Sequence, residues 1–99
     1  MSFVSTQPED LTATAGNLQG IGLAMTAQNA AAAAPTTDVV PAAADEVSAL
    51  TAAQFAMHGQ MYQAVSAQAS AIHEMFVSTL GDSAGSYAAT EAANAVATG

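Results

Sequence analysis

An all-α fold, an antiparallel two-helix hairpin that completes a four-helix bundle with a partner, is what this chain predicts. Three observations carry the prediction. Ala supplies 27 of the 99 residues, and Ala is the strongest helix former because it loses no side-chain rotamers. Two long segments carry apolar residues at helical spacing. Between them lies one strong break, Pro35-Thr36-Thr37-Asp38-Val39-Val40-Pro41, bounded by two prolines.

Met1–Gln7 reads as a short arm. Pro8 suits a first helical turn because its missing N–H would have no partner there, and Glu9 and Asp10 complement the positive end of the helix dipole. Gln7 or Thr6 then falls near the cap. From Leu11 the spacing is 4-3-4-3 through Ala15, Leu18, Gly22, Met25, Asn29 and Ala32, a stripe in which large residues alternate with small ones. Pro35 is expected to end this helix, giving roughly 25 residues and about 40 Å. The second helix is capped by Asp38 or begins around Pro41, with Asp45 and Glu46 in or near its first turn. Its main stripe is Val47, Leu50, Gln54, Met57, Met61, Val65, Gln68, Ile72, Met75 and Thr79. A second stripe, Phe55, Tyr62, Ala69 and Phe76, recurs every seven residues on a neighbouring face. Gly81-Asp82-Ser83-Ala84-Gly85-Ser86 is expected to close the helix, leaving Tyr87–Gly99 as a frayed tail. The chain thus divides into a hairpin, residues 1–82, and a tail, 83–99. The short connection makes the helices antiparallel neighbours.

A hairpin has one internal seam, which one apolar stripe per helix fills. The second stripe, with Phe55, Tyr62 and Phe76, is then left exposed, and such patches mark interaction surfaces. Packing into a four-helix bundle covers it; the alternative is that the two stripes make one wide core face.

Charge narrows the partners. The chain has no Lys and no Arg against eight Asp and Glu, a net charge of −8. Nucleic acids and anionic membranes are held by cations that this chain lacks. Leu, Ile, Val and Phe make up only 17 residues, so the core is thin against roughly 1.5 kcal/mol of ordering entropy per residue. Such a chain is helical in tendency and marginal alone. With no Cys there is no disulfide and no thiolate metal site. Residues 1–11 lack the cationic and apolar regions of a secretory signal, and no stretch approaches the ~20 apolar residues of a transmembrane segment. His58 and His73 are fifteen residues apart, about 22 Å along a helix and too far to share a metal; they read as surface or interface residues. No Ser or Thr has the context of a nucleophile, and no glycine-rich phosphate loop is present, so neither an enzyme nor a cofactor is expected. Gly16, Gly20 and Gly22 interrupt the first helix, either for close helix approach or through plain tolerance in an Ala-rich helix.

Pro8-Glu9, the segment Val39-Val40-Pro41-Ala42-Ala43-Ala44-Asp45-Glu46-Val47-Ser48, and Tyr87-Ala88-Ala89-Thr90-Glu91 occur in an order that resembles the PE family of mycobacteria, along the whole chain. The family motif is the Pro8-Glu9 pair. Asn29–Thr37 and Asp45–Phe55 look most like the short members associated with the fifth ESX system. The resemblance implies a heterodimer with a PPE protein, two helices from each forming the bundle, with a cytosolic EspG chaperone on the PPE subunit. It implies export of the folded pair by a type VII (ESX) secretion system, without a cleaved signal peptide, to the cell surface, envelope or medium. A Tyr-x-x-x-Asp/Glu secretion signal corresponds to Tyr87 and Glu91. The residues expected to bind the partner are Leu11, Leu18 and Met25 with Val47, Leu50, Phe55, Met57, Met61, Tyr62, Ile72 and Phe76. Because the sequence stops at Gly99, no enzymatic extension of the kind some relatives carry is expected. The rival reading is a self-associating Ala-rich structural bundle needing no second gene product; an ice-binding surface is disfavoured by the irregular spacing of Thr12, Thr14, Thr26, Thr51 and Thr79.

Overall fold

The structure is a computed structural model and describes residues 7–98. The arm reading for residues 1–6, including Thr6 as a cap, lies outside them. Two helices make up the fold: α1, Pro8–Thr37, and α2, Glu46–Thr98. They form an antiparallel hairpin 80 × 22 × 17 Å, with a radius of gyration of 22.9 Å against about 13 Å for a compact chain of this length. The long axis is the length of α2 itself, 53 residues at about 1.5 Å each.

Pro8 begins α1 with Gln7 as the N-cap residue. The Gln7 side chain makes no cap bond; its carbonyl accepts from the N–H groups of Asp10 and Leu11 at 3.0 and 3.3 Å. Pro35 does not stop the helix, which runs to Thr37. The proline removes one N–H close to the helix end, where few bonds remain to be lost. The last turn is held by threonine: Thr36 Oγ1 donates to the Ala32 carbonyl at 2.6 Å and Thr37 Oγ1 to that of Ala33 at 2.7 Å. The Asp38 N–H then closes on the Ala34 carbonyl at 2.9 Å.

The connection is longer than expected, because neither Asp38 nor Pro41 opens α2. Asp45 does. Its Oδ1 accepts from the Ser48 N–H at 2.8 Å, its Oδ2 from the Ser48 hydroxyl at 3.0 Å, and its carbonyl from the Ala49 N–H at 3.0 Å. This is a side-chain N-cap for donors that the helix itself leaves unpaired. The Ser48 N–H holds the Asp45 carboxyl below its ordinary value near 3.8.

α2 also overruns the expected stop. Gly81 and Gly85 lie within a continuous helix, and neither has a positive φ. A glycine ends a helix by taking up the left-handed conformation; with ordinary helical angles it only weakens one. Pro8 and Ala84 are buried while residues 85–98 are exposed. The segment that carries Tyr87 and Glu91 therefore extends past the start of α1 as a helix, not as a frayed tail.

The seam between the helices differs most from expectation. On α1 the 4-3-4-3 stripe turns inward through Leu11, Ala15, Leu18, Gly22, Asn29 and Ala32, although Met25 stays exposed. On α2 the inward residues are Ser48, Ala52, Ala56, Gly59, Gln63, Ser66, Ser70, His73, Val77, Leu80 and Ala84. The stripe from Val47 to Thr79 predicted for this place lies on the other side of the helix. Met61 is nine residues beyond buried Ala52, about two and a half turns and so half a turn away; it is 57% exposed. The physical reason is spacing, since small side chains let two backbones come close while large ones hold them apart. A β-carbon built on Gly59 would meet the Thr36 carbonyl oxygen at 2.5 Å, whereas none on Gly16, Gly20, Gly81 or Gly85 would meet anything within 4 Å. Close approach therefore explains Gly59 and, against His73, Gly22; Gly16 and Gly20 are simply tolerated.

Candidate functional site

The seam leaves most large side chains free to point elsewhere, although Leu11, Leu18, His73, Val77 and Leu80 are half-buried in it. Buried apolar residues among those described are Ala15, Ala52 and Ala84. What holds the helices in register is mostly polar. The Tyr62 hydroxyl donates to Asn29 Oδ1 at 2.6 Å and Gln63 Nε2 to the Asn29 carbonyl at 2.9 Å. Thr26 and Ser70 hydroxyls meet at 3.5 Å. His73 Nε2 lies 2.5 Å from the Leu18 carbonyl, which only accepts, so the ring donates from that nitrogen.

The two faces flanking this seam are unlike. One carries a shallow groove of about 310 Å³ floored by Gly22, Ser70 and His73 and walled by Ile21, Met25, Tyr62, Val65 and Ala69. Toward the connection it meets a second groove walled by Pro35, Val39, Phe55, His58 and Tyr62. The opposite face shares the floor residues Gly22, Ser70 and His73, but its walls are Gln19, Leu23, Glu74 and Ser78, and beside them lie Ala30, Gln63, Ala67 and Ala71. One face is thus aromatic and aliphatic; the other is mostly small and polar, with Leu23 and Val77 as its aliphatic residues.

The predicted partner residues sort onto this geometry. Leu11 and Leu18 are half-buried at the rim of the seam, and Met25 stands out beside the apolar groove. Phe55, Tyr62 and Phe76 are 61, 50 and 55% exposed and flank the seam on the apolar side. Tyr62 does two things, since its ring walls both grooves while its hydroxyl is bound to α1. Val47, Leu50, Met57, Met61 and Ile72 lie further round α2, all exposed. Val65 and Met75 join them. At about 100° per residue these positions continue the aromatic stripe, so the apolar arc of α2 covers roughly 160°, nearly half its circumference. That arc is wider than the ~100° stripe with which a surface helix faces its own core. The hairpin alone does not cover it.

Pro8 is buried at the start of α1 and Glu9 is exposed beside it. Tyr87 and Glu91 lie one helical turn apart on the overhanging end of α2, Tyr87 46% exposed. His58 is exposed at the groove near the connection, while His73 is a half-buried part of the seam. Sequence reasoning missed Gly59, whose signal is a lone glycine inside a long helical pattern, and the Asn29–Tyr62–Gln63 cluster, whose members it assigned to separate stripes or to none. Among the described residues no group of three His, Asp or Glu side chains is placed to hold a metal ion, and no helix is long and apolar enough to cross a membrane.

A chain with no cation presents a continuous apolar face, on a scaffold whose own contacts are small and polar. Comparison with known proteins gives the same kind of molecule a family. The sequence pattern of the PE family matches residues 4–94, a span containing α1, the connection and most of α2. Over 97 residues the chain is 68% identical to PE family protein PE13 of Mycobacterium tuberculosis, covering 98% of both. It is 63% identical over 97 residues to PE8 of the same organism, of which it spans 35%, and 61% identical over 95 residues to PE-PGRS family protein PE_PGRS33, of which it spans 20%. The shared unit therefore recurs both as nearly a whole protein and as part of longer ones, and the chain belongs to the PE family.

Proposed function

We propose that this protein is the PE subunit of a PE–PPE heterodimer that a type VII (ESX) secretion system exports in folded form. The observation that carries the reading is the apolar face running along the hairpin from Phe55 to Phe76, uncovered while the seam beneath it is filled by small and polar residues. Two helices of a PPE protein laid on that face complete a four-helix bundle. Leu11, Leu18 and Met25 form the α1 side of the contact; Val47, Leu50, Phe55, Met57, Met61, Tyr62, Ile72 and Phe76 form the α2 side. Packing dominates the binding energy, because this subunit contributes no cation to an ion pair. The protein acts without catalysis. EspG engages the pair through the PPE subunit, and the cognate system is the fifth ESX system. Tyr87 and Glu91, on the helical overhang, are the secretion signal, and the destination is the cell surface, envelope or medium.

Co-expression tests the reading. Expressed with candidate PPE proteins, the chain should co-purify with one of them as a heterodimer that survives moderate salt. A stable, folded homo-oligomer formed equally well without any PPE protein would replace this reading with self-association.

A further inference from the structure

The apolar face contains an unusual share of sulfur. All four described methionines, Met25, Met57, Met61 and Met75, are exposed, 53, 48, 57 and 69% respectively, and none enters the seam. Met57 and Met61 are one turn apart, and Met75 lies eighteen residues beyond Met57, about five whole turns. These three therefore form one strip of α2 on the side facing away from α1, and Met25 stands on α1 at the apolar groove beside Tyr62 and Val65. The chain has no Cys, so the thioethers are its only sulfur. A thioether in a packed core is shielded from oxidants; these are not. Oxidation turns a flexible apolar side chain into a polar one and disrupts methionine-rich contact surfaces.

We propose that Met25, Met57, Met61 and Met75 form a peroxide-modified site, at which sulfoxidation converts the apolar face of the unpaired chain into a polar one. In each event a sulfur lone pair attacks one peroxide oxygen, the O–O bond breaks, and an S–O bond forms. The departing hydroxide takes the remaining proton as water, so sulfur loses two electrons and peroxide gains them. The consequence for pairing rests on the heterodimer reading: a chain oxidised before it meets its partner binds weakly, and a paired chain is shielded.

The full-length chain treated with hydrogen peroxide tests this. Chymotryptic peptides locate the added oxygen, since a chain without Lys or Arg has no trypsin site. All four methionines should oxidise within a few-fold of the rate of free methionine, and retention on a hydrophobic-interaction column should fall. Methionine sulfoxide reductases A and B with a dithiol should restore it. The quadruple variant Met25→Leu, Met57→Leu, Met61→Leu, Met75→Leu should keep its retention through the same treatment. Oxidation at under about a tenth of the free rate, or complete oxidation with unchanged retention, would overturn the proposal. A second arm uses the PPE protein that co-purifies in the experiment above: prior oxidation should weaken pairing by on the order of tenfold. Undiminished pairing by a fully oxidised chain refutes the pairing effect and leaves the heterodimer standing. Failure of the untreated chain to pair with any PPE protein refutes the heterodimer and leaves the modification result intact.

Discussion

Replacing Gly59 by Ala sets two known effects against each other. In an exposed helix interior, Gly→Ala stabilises by about 1 kcal/mol, because glycine has the larger backbone entropy to lose. At Gly59 the added methyl would lie 2.5 Å from the Thr36 carbonyl oxygen, 2.9 Å from its carbonyl carbon and 3.2 Å from its β-carbon. Two of these are backbone atoms, so no rotamer relieves the contact. The helices must part locally by roughly 1 Å, and overpacking of that kind costs about 1–3 kcal/mol. The net expectation for Gly59→Ala is a loss of about 1 kcal/mol. Gly81→Ala and Gly85→Ala meet nothing within 4 Å and should each gain up to about 1 kcal/mol. Circular dichroism at 222 nm with thermal melting, run on the same protein preparation for all three variants, gives the ordering. A Gly59→Ala variant as stabilised as Gly81→Ala would refute the close approach of α1 and α2 at this point. A Gly81→Ala variant that lost helicity would refute the continuity of α2.

Phe76→Ala should leave the helicity of the chain unchanged, since the ring is 55% exposed, yet weaken pairing with the PPE protein by about 3 kcal/mol if the partner buries it fully; calorimetric titration separates the two effects. Phe55→Asp should abolish co-purification. Tyr87→Ala should leave the heterodimer intact in the cytosol while stopping its export, Glu91→Ala should do so to an equal or lesser degree, and Glu91→Asp should be tolerated; cell fractionation with partner co-purification reads both outcomes, and normal export of Tyr87→Ala would remove the signal assignment. Asp45 has a lowered pKa in the folded chain, so its cap contributes fully above the unfolded value near 3.8 and is lost as pH falls through the lower folded value. Helicity should therefore decline at the start of α2 below about pH 4, and Asp45→Asn should keep a cap while losing that dependence, as amide chemical shifts of Ser48 and Ala49 would report. The isolated chain should melt broadly, because no residue larger than proline is buried among those described; a cooperative, concentration-independent transition would contradict this.

Much of α1 and the existence of α2 are legible in the sequence, because Pro8, the acids beside it and the regular stripe from Leu11 are local signals. The α2 seam is not. Reading apolar residues as inward selects Val47, Leu50, Met57 and Met61, the side facing away from α1, whereas the inward side is written largely in Ser48, Ala52, Ala56, Gly59 and Ser70. Those residues are chosen for how little room they take, and a hydrophobicity pattern carries no information about that. The same limit explains Pro35 and Gly81. Each has a strong average effect on a helix, but Thr36 and Thr37 hold the turn around the first, and the second keeps ordinary helical angles. Phe55, Tyr62 and Phe76 are exposed together on one flank, a consequence of seven-residue spacing that is independent of which side faces α1.

On the heterodimer reading, the small-residue seam makes the folded state of this protein a function of another molecule's concentration. If the partner binds only the folded hairpin, the hairpin gains stability as the logarithm of partner concentration over dissociation constant, about 2.7 kcal/mol at a hundredfold excess. For a chain close to balance alone, that increment moves the population from largely open to largely closed. Surplus copies, left open, are the ones available to proteases. Subunit ratio would then be held near equality with no regulator, because the partner that covers the apolar face is also what keeps the hairpin closed.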